Sequence, residues 1–138
     1  MRVALPLSSA VLLVNDEPDA RQQVMSFLLM YFPADTIISA SDGRQALQYL
    51  DACEISLLIT DYRMPNLTGL ELIDMVKARC PDTRIILISG DGDNQIECHG
   101  REHGADYVIS KPFRMAELKD ILDQVGSPAL NEHMVGSS

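Results

Sequence analysis

No apolar run in this sequence approaches the ~20 residues a bilayer crossing requires, so no membrane partner is expected. Basic clusters are missing too: 11 Lys and Arg face 20 Asp and Glu, for a formal net charge of −9. Nucleic-acid affinity is carried mainly by clustered Lys and Arg, so direct nucleic-acid binding is not expected. Cysteine is scarce as well. The three that occur, Cys53, Cys80 and Cys98, are an odd number without paired spacing, which argues against a disulfide framework and for a reducing compartment. The opening MRVALPLSSAVLLV has the Arg and small apolar residues of a secretion signal, but it runs straight into NDEP with no separate mature start. Its apolar part serves better as a strand, and a cytoplasmic location is expected. What remains is an ordinary soluble composition, 46% hydrophobic and 22% charged over 138 residues, enough to bury one core.

Short apolar runs alternate with longer segments of helical period, the pattern of an α/β fold with a parallel sheet covered on both faces. Strands are predicted over 10–14, 36–39, 56–60, 84–89 and 106–109. Between them, 17–32 opens with Pro18 near a helix start and repeats apolar residues at Ala20, Val24, Phe27, Leu28 and Tyr31. A short helix is predicted over 42–51, and another over 66–79 with Leu70, Ile73 and Val76 aligned before Pro81. The last, 114–125, lines up Leu118, Ile121, Leu122 and Val125 and is closed by Gly126. The segment 94–104 is the poorest helix because Gly100 interrupts it, and it is expected to be mobile. The methionines on helical segments, Met25, Met30 and Met75 among them, read as core or groove filler. The domain is placed at 10–126, with an N-terminal extension over 1–9 and a flexible tail over 127–138.

The informative residues are the polar ones that end each long strand. VLLV runs into Asn15-Asp16-Glu17, LLIT into Asp61, IILIS ends on Ser89, and DYVIS is followed by Lys111-Pro112. In a parallel sheet these ends share one edge, where open α/β folds bind ligands. Carboxylates held together raise one another's pKa unless a cation sits among them, and hard oxygen donors with spare water positions suit Mg²⁺. An ion held by two such carboxylates would accept phosphate oxygens. Lys111 could meet the same phosphoryl group by charge and Ser89 by a hydrogen bond, leaving Asp61 as the nucleophile.

In order and spacing, VLLVNDEPDAR, LLITDYRMPNLTGLEL, RIILISGDGD and GADYVISKPF resemble the receiver domain of two-component response regulators, from about Val11 to Val125. The resemblance implies a CheY-like (flavodoxin-like) doubly wound sheet of five strands in the order 2-1-3-4-5. It implies Asp61 as phosphoacceptor, Asp16 and Asp61 as Mg²⁺ ligands with the backbone carbonyl of Arg63, Asn15 acting through water, and Glu17 as a further candidate ligand. Ser89 becomes the switch hydroxyl and Lys111 the partner of the phosphoryl group, with a cis Lys111-Pro112 bond. The implied donor is a histidine kinase or histidine phosphotransfer protein, and the implied receiver of the signal is a downstream protein target or output domain. The face built by the fourth helix, fifth strand and fifth helix becomes a candidate homodimer surface. No enzyme is expected beyond self-phosphorylation and slow auto-dephosphorylation.

Two departures set this chain apart from that pattern. Asn15 stands where the first of two adjacent acids is usual, which removes one negative charge. Val108 occupies the place of the switch aromatic, and Tyr107, one residue earlier, should point to the opposite sheet face. These departures motivate an alternative, a phosphorylation-independent module that binds a protein partner constitutively. Other readings fit less well. The segment from Asp91 to Glu102 imitates a calcium loop but carries Ile96 where glycine is required. Cys98, His99 and His103 lack a fourth zinc ligand. A phosphatase of the haloacid-dehalogenase type needs a second Asp two residues after the nucleophile, where Arg63 stands. A flavodoxin-like flavin site would need a phosphate-cradling loop in place of the acidic NDEPDA.

Overall fold

A computed structural model describes residues 9–90 and 94–125. The expected extension apart from Ser9, loop positions 91–93, Gly126 and the expected tail lie outside the described residues. The chain runs β1 (Ser9–Val14), α1 (Pro18–Leu28), β2 (Ile37–Ala40), α2 (Gly43–Ala52), β3 (Glu54–Asp61), α3 (Gly69–Arg79), β4 (Arg84–Ser89), α4 (Asn94–His103) and β5 (Tyr107–Ser110). A fifth helix, α5, covers 115–125. The strands form one parallel five-stranded sheet in the order β2-β1-β3-β4-β5.

Alternation along the strands divides the core in two. Leu12, Val14, Leu58, Ile85 and Leu87 face the helices α2, α3 and α4, meeting Ala46, Leu50, Leu72, Ile73, Val76 and Ile96. Val11, Leu13, Leu57, Ile59, Ile86 and Ile88 face α1 and α5, meeting Val24, Leu28, Leu118 and Leu122. Because the central strands are covered on both sides, their sequences are continuous apolar runs. Each fully buried Leu or Ile contributes roughly 1.5–3 kcal/mol of transfer free energy.

Helix ends depart from the periodic pattern where local chemistry overrides it. The segment expected as helix from 66 starts only at Gly69, because Asn66 takes a left-handed φ of 72° and Thr68 caps the helix. Its hydroxyl accepts from Glu71 N at 3.2 Å while the Glu71 carboxylate accepts from Thr68 N at 3.0 Å, a capping box. α1 stops at Leu28, not at residue 32. Phe32 precedes Pro33, a position that disfavours helical backbone, and it turns inward to 1% exposure instead.

Gly100 does not interrupt α4. A Cβ there would lie 2.7 Å from Leu87 Cδ2 and 3.3 Å from Val108 Cγ2, so the missing side chain lets the helix settle directly on β4 and β5. A propensity cost of about 1 kcal/mol is outweighed by that close contact. Two of the methionines also depart from expectation: Met25 packs beneath α1, whereas Met30 and Met75 are exposed.

Candidate functional site

Parallel strands deliver their C-terminal ends to one rim, and the polar residues that follow the apolar runs collect there. Asp61 ends β3 at only 6% exposure. Its Oδ1 lies 2.9 Å from the Lys111 ammonium, which reaches across from the end of β5. Lys111 thus meets the buried Oδ1 as an ion pair. Burial pushes the Asp61 carboxyl above the ordinary aspartate value. Lys111 pulls it down, while the nearby charges of Asp16 and Glu17 add a further upward push.

That shift has a sign for stability. A carboxyl whose folded pKa is raised favours the folded state below the ordinary aspartate pKa, and the benefit is lost as pH rises through the raised value. With divalent cations chelated, the urea midpoint should carry a component that falls through that window. Titrating the midpoint against pH checks this, and a component that rises there would contradict it.

The loop after β1 is fixed by its own backbone. Asn15 is 3% exposed; its Oδ1 accepts from Glu17 N at 2.9 Å and its carbonyl oxygen accepts from Arg21 Nη1 at 2.6 Å. Asp16 and Glu17 are exposed at the mouth of the site. Arg63 lies two residues past Asp61, its guanidinium 5.7 Å from the centre of the Tyr62 ring. At the end of β4, Ser89 is 1% exposed and its hydroxyl lies 3.4 Å from that of Ser110. The Lys111-Pro112 peptide bond is cis. Beside these residues opens a cavity of about 500 Å³ whose lining includes Glu17, Ala20, Gln23, Lys111, Phe113 and Met115.

Tyr107 and Val108 face opposite sides of the sheet. Tyr107 packs with the α1 and α5 cluster and Val108 with the α4 side. Of the segment read as a calcium loop, positions 91–93 lie outside the described residues. Residues 94–103 are helical and Ile96 is core. His103 Nδ1 contacts Asp74 Oδ1 at 2.6 Å across α3 and α4, and the Cys98 thiol donates to Glu102 Oε1 at 3.4 Å.

Among the described residues, no three His, Cys, Asp or Glu side chains converge as a metal cage. A hard cation at the rim would therefore draw on Asp61 and the exposed acids whose charges reach it, Asp16 and Glu17, together with main-chain and water oxygens. The buried Asp61 Oδ1 fits that role, because Lys111 offsets its burial only in part and a cation would add compensation.

Three supporting residues escaped the sequence reading. Arg21 pins the loop that carries Asp16, Ser110 meets Ser89, and Gly69 lets α3 approach the phosphoacceptor candidate's backbone. A Cβ at Gly69 would lie 2.5 Å from the Asp61 carbonyl oxygen. Gly69→Ala should therefore destabilise the fold by about 1–3 kcal/mol, read as a lower urea midpoint; an unchanged midpoint would refute the contact. The TGLEL spacing after MPN was the available signal for that glycine.

Comparison with known proteins gives concordant matches. A family model described as the response regulator receiver domain matches residues 11–123. Response regulator RppA of Synechocystis sp. is 32% identical over 111 residues, covering 78% of this chain and 46% of that protein. Chemotaxis protein CheY1 of Helicobacter pylori is 31% identical over 117 residues, covering 83% of this chain and 94% of that protein. The solved receiver domain of NtrX from Brucella abortus superposes with a TM-score of 0.77 at 27% identity, covering 85% of this chain and 98% of that one. The chain thus spans less than half the length of several of the curated relatives it matches.

Proposed function

The chain belongs to the response regulator receiver family, and from that premise we propose that it accepts a phosphoryl group on Asp61 and thereby switches its binding to a protein partner. The observation that carries the proposal is the buried Asp61 carboxylate facing the Lys111 ammonium at 2.9 Å. A surface aspartate would not need such a partner, and an acid held there for structure alone would be better replaced by an apolar residue.

The step is a displacement at phosphorus. One Asp61 oxygen attacks the phosphorus of a phosphohistidine on a histidine kinase or phosphotransfer protein. The P–N bond breaks, an acyl phosphate forms, and the leaving imidazole takes up a proton from solvent. Lys111 neutralises charge on the transferring oxygens, and Ser89 donates its hydroxyl to one of them. The ion that the acidic rim suits is Mg²⁺, which when bound supplies charge compensation to the phosphoryl oxygens. Asp16, Asp61 and the Arg63 carbonyl would hold it, with Glu17 as a further candidate and Asn15 acting through water. The chain is a signalling module, not an enzyme with turnover on a separate substrate; slow auto-dephosphorylation completes its cycle.

The acyl phosphate carries a charge of about −1.5 to −2 in place of the single negative charge of ionised Asp61, and the extra charge and bulk would bias the surface around α4, β5 and α5, where a downstream target, an output domain or a second copy of the chain would bind. We place this exchange in the cytoplasm, the reducing compartment that the free thiols of Cys53, Cys80 and Cys98 favour.

Incubation with Mg²⁺ and acetyl phosphate followed by intact-mass measurement tests the proposal. One phosphoryl adduct is expected, and none when a chelator precedes the donor or in the Asp61→Ala variant. A second reading, a phosphorylation-independent binding module, is favoured by one observation: position 15 holds an uncharged amide whose Oδ1 already accepts from Glu17 N, so it adds no charge to the site. Absence of any adduct at high donor concentration would select that reading.

A further inference from the structure

Ser89 stands between two neighbours at the rim. β4 lies between β3, which ends in Asp61, and β5, which ends in Ser110. Ser89 and Ser110 are register partners, and the hydroxyl of Ser89 leans toward β5, 3.4 Å from that of Ser110. Hydroxyl pairs usually sit at about 2.5–3.0 Å, so this bond is long and weak. Ser89 is nonetheless 1% exposed, so water does not compete for it, whereas Ser110 is exposed and can be hydrated once released.

The α4 side of the sheet shares this arrangement. Two residues before Ser110, Val108 faces the same way, and two residues before Ser89 so does Leu87. Gly100 rests on both, at 3.3 Å and 2.7 Å from where its Cβ would be. With valine at position 108, no aromatic ring on this strand face reports the state of the Ser89 hydroxyl.

We propose that Ser110 is a positioning residue that holds the Ser89 hydroxyl toward β5 in the resting protein and yields it when Asp61 is phosphorylated. The inference rests on Asp61 as the phosphoacceptor. A charged phosphoryl oxygen is a stronger acceptor than a neutral hydroxyl, so Ser89 turns to β3 once that oxygen arrives. Loss of Ser110 removes the competitor: Ser89 is freed before transfer, and the packing under Gly100 registers the change.

The test uses the whole chain in wild-type form and as Ser110→Ala, Ser110→Thr, Ser89→Ala and the Ser89→Ala/Ser110→Ala double variant. Two quantities are read: the rate of phosphoryl uptake from acetyl phosphate with Mg²⁺, and the position of the Gly100 amide signal in proton–nitrogen correlation spectra without phosphodonor. Ser110→Ala should raise the uptake rate by about 2- to 10-fold, the fold-change equivalent of one weak hydrogen bond, and move the Gly100 signal. Ser110→Thr, which keeps the hydroxyl, should restore both. On the Ser89→Ala background, Ser110→Ala should do neither, since coupled residues are non-additive. An effect of Ser110→Ala that is the same with and without Ser89, or that threonine does not rescue, would overturn the inference. If the wild-type chain takes up no phosphoryl group, the acceptor reading fails by itself. The Gly100 signal then still decides whether Ser110 holds Ser89: a shift that depends on Ser89 supports it and one that does not refutes it.

Discussion

Lys111→Ala should slow phosphoryl uptake from acetyl phosphate by roughly 10²–10³-fold, the usual cost of removing one preorganised charge-stabilising group from a reaction centre. The ammonium sits 2.9 Å from Asp61 Oδ1, and its charge pulls the pKa of that carboxyl down against burial. Its removal leaves a mostly buried carboxylate without compensation and raises the Asp61 pKa further, since Lys111 is the influence that lowers it. Both changes act against a nucleophile that must be ionised. Lys111→Arg should recover only part of the rate, because a planar fork does not occupy the position of a compact ammonium. Progress curves followed by intact mass check the prediction. A Lys111→Ala rate within a factor of about three of wild type would show that the ammonium does not serve transfer.

Asp61→Asn should abolish uptake altogether and, in cation-free buffer, raise the denaturation midpoint. The two outcomes have one cause. Burial disfavours the ionised carboxylate, and the amide has nearly the same shape without the charge. Lys111, about one-third exposed, stays hydrated when its partner is neutralised. Magnesium should reverse the ranking. A ligand bound to the native state at 100 times its dissociation constant adds about 2.7 kcal/mol of stability, and the asparagine variant should gain much less. Thermal or urea melts with and without Mg²⁺ measure this directly. Equal gains in both proteins would place the cation elsewhere.

How far the sequence discloses this site depends on the kind of force involved. Strand positions are legible because β1, β3 and β4 are buried on both faces and read as short continuous apolar runs; β4 matches its expected span of 84–89. The rim residues were legible because topology alone sends Asp61, Ser89 and Lys111 to the same edge. Helix starts were less so. The 66–79 segment begins late because of an Asn66 backbone angle and a reciprocal cap, neither of which a hydrophobic period registers. Gly100 was misread for a related reason: propensity describes a helix in isolation, and this glycine acts through Leu87 and Val108 on other strands. Arg21 and Ser110 were overlooked because their contacts, a main-chain carbonyl and a partner hydroxyl, exist only after folding.

The position of the acyl phosphate is the direct test. After incubation with Mg²⁺ and acetyl phosphate, borohydride reduction converts a phosphorylated aspartate to homoserine, which peptide mass mapping locates. Homoserine at residue 61 alone is the expected result. Homoserine at Asp16 or another acid, with residue 61 unmodified, would contradict the assignment of Asp61 as the nucleophile.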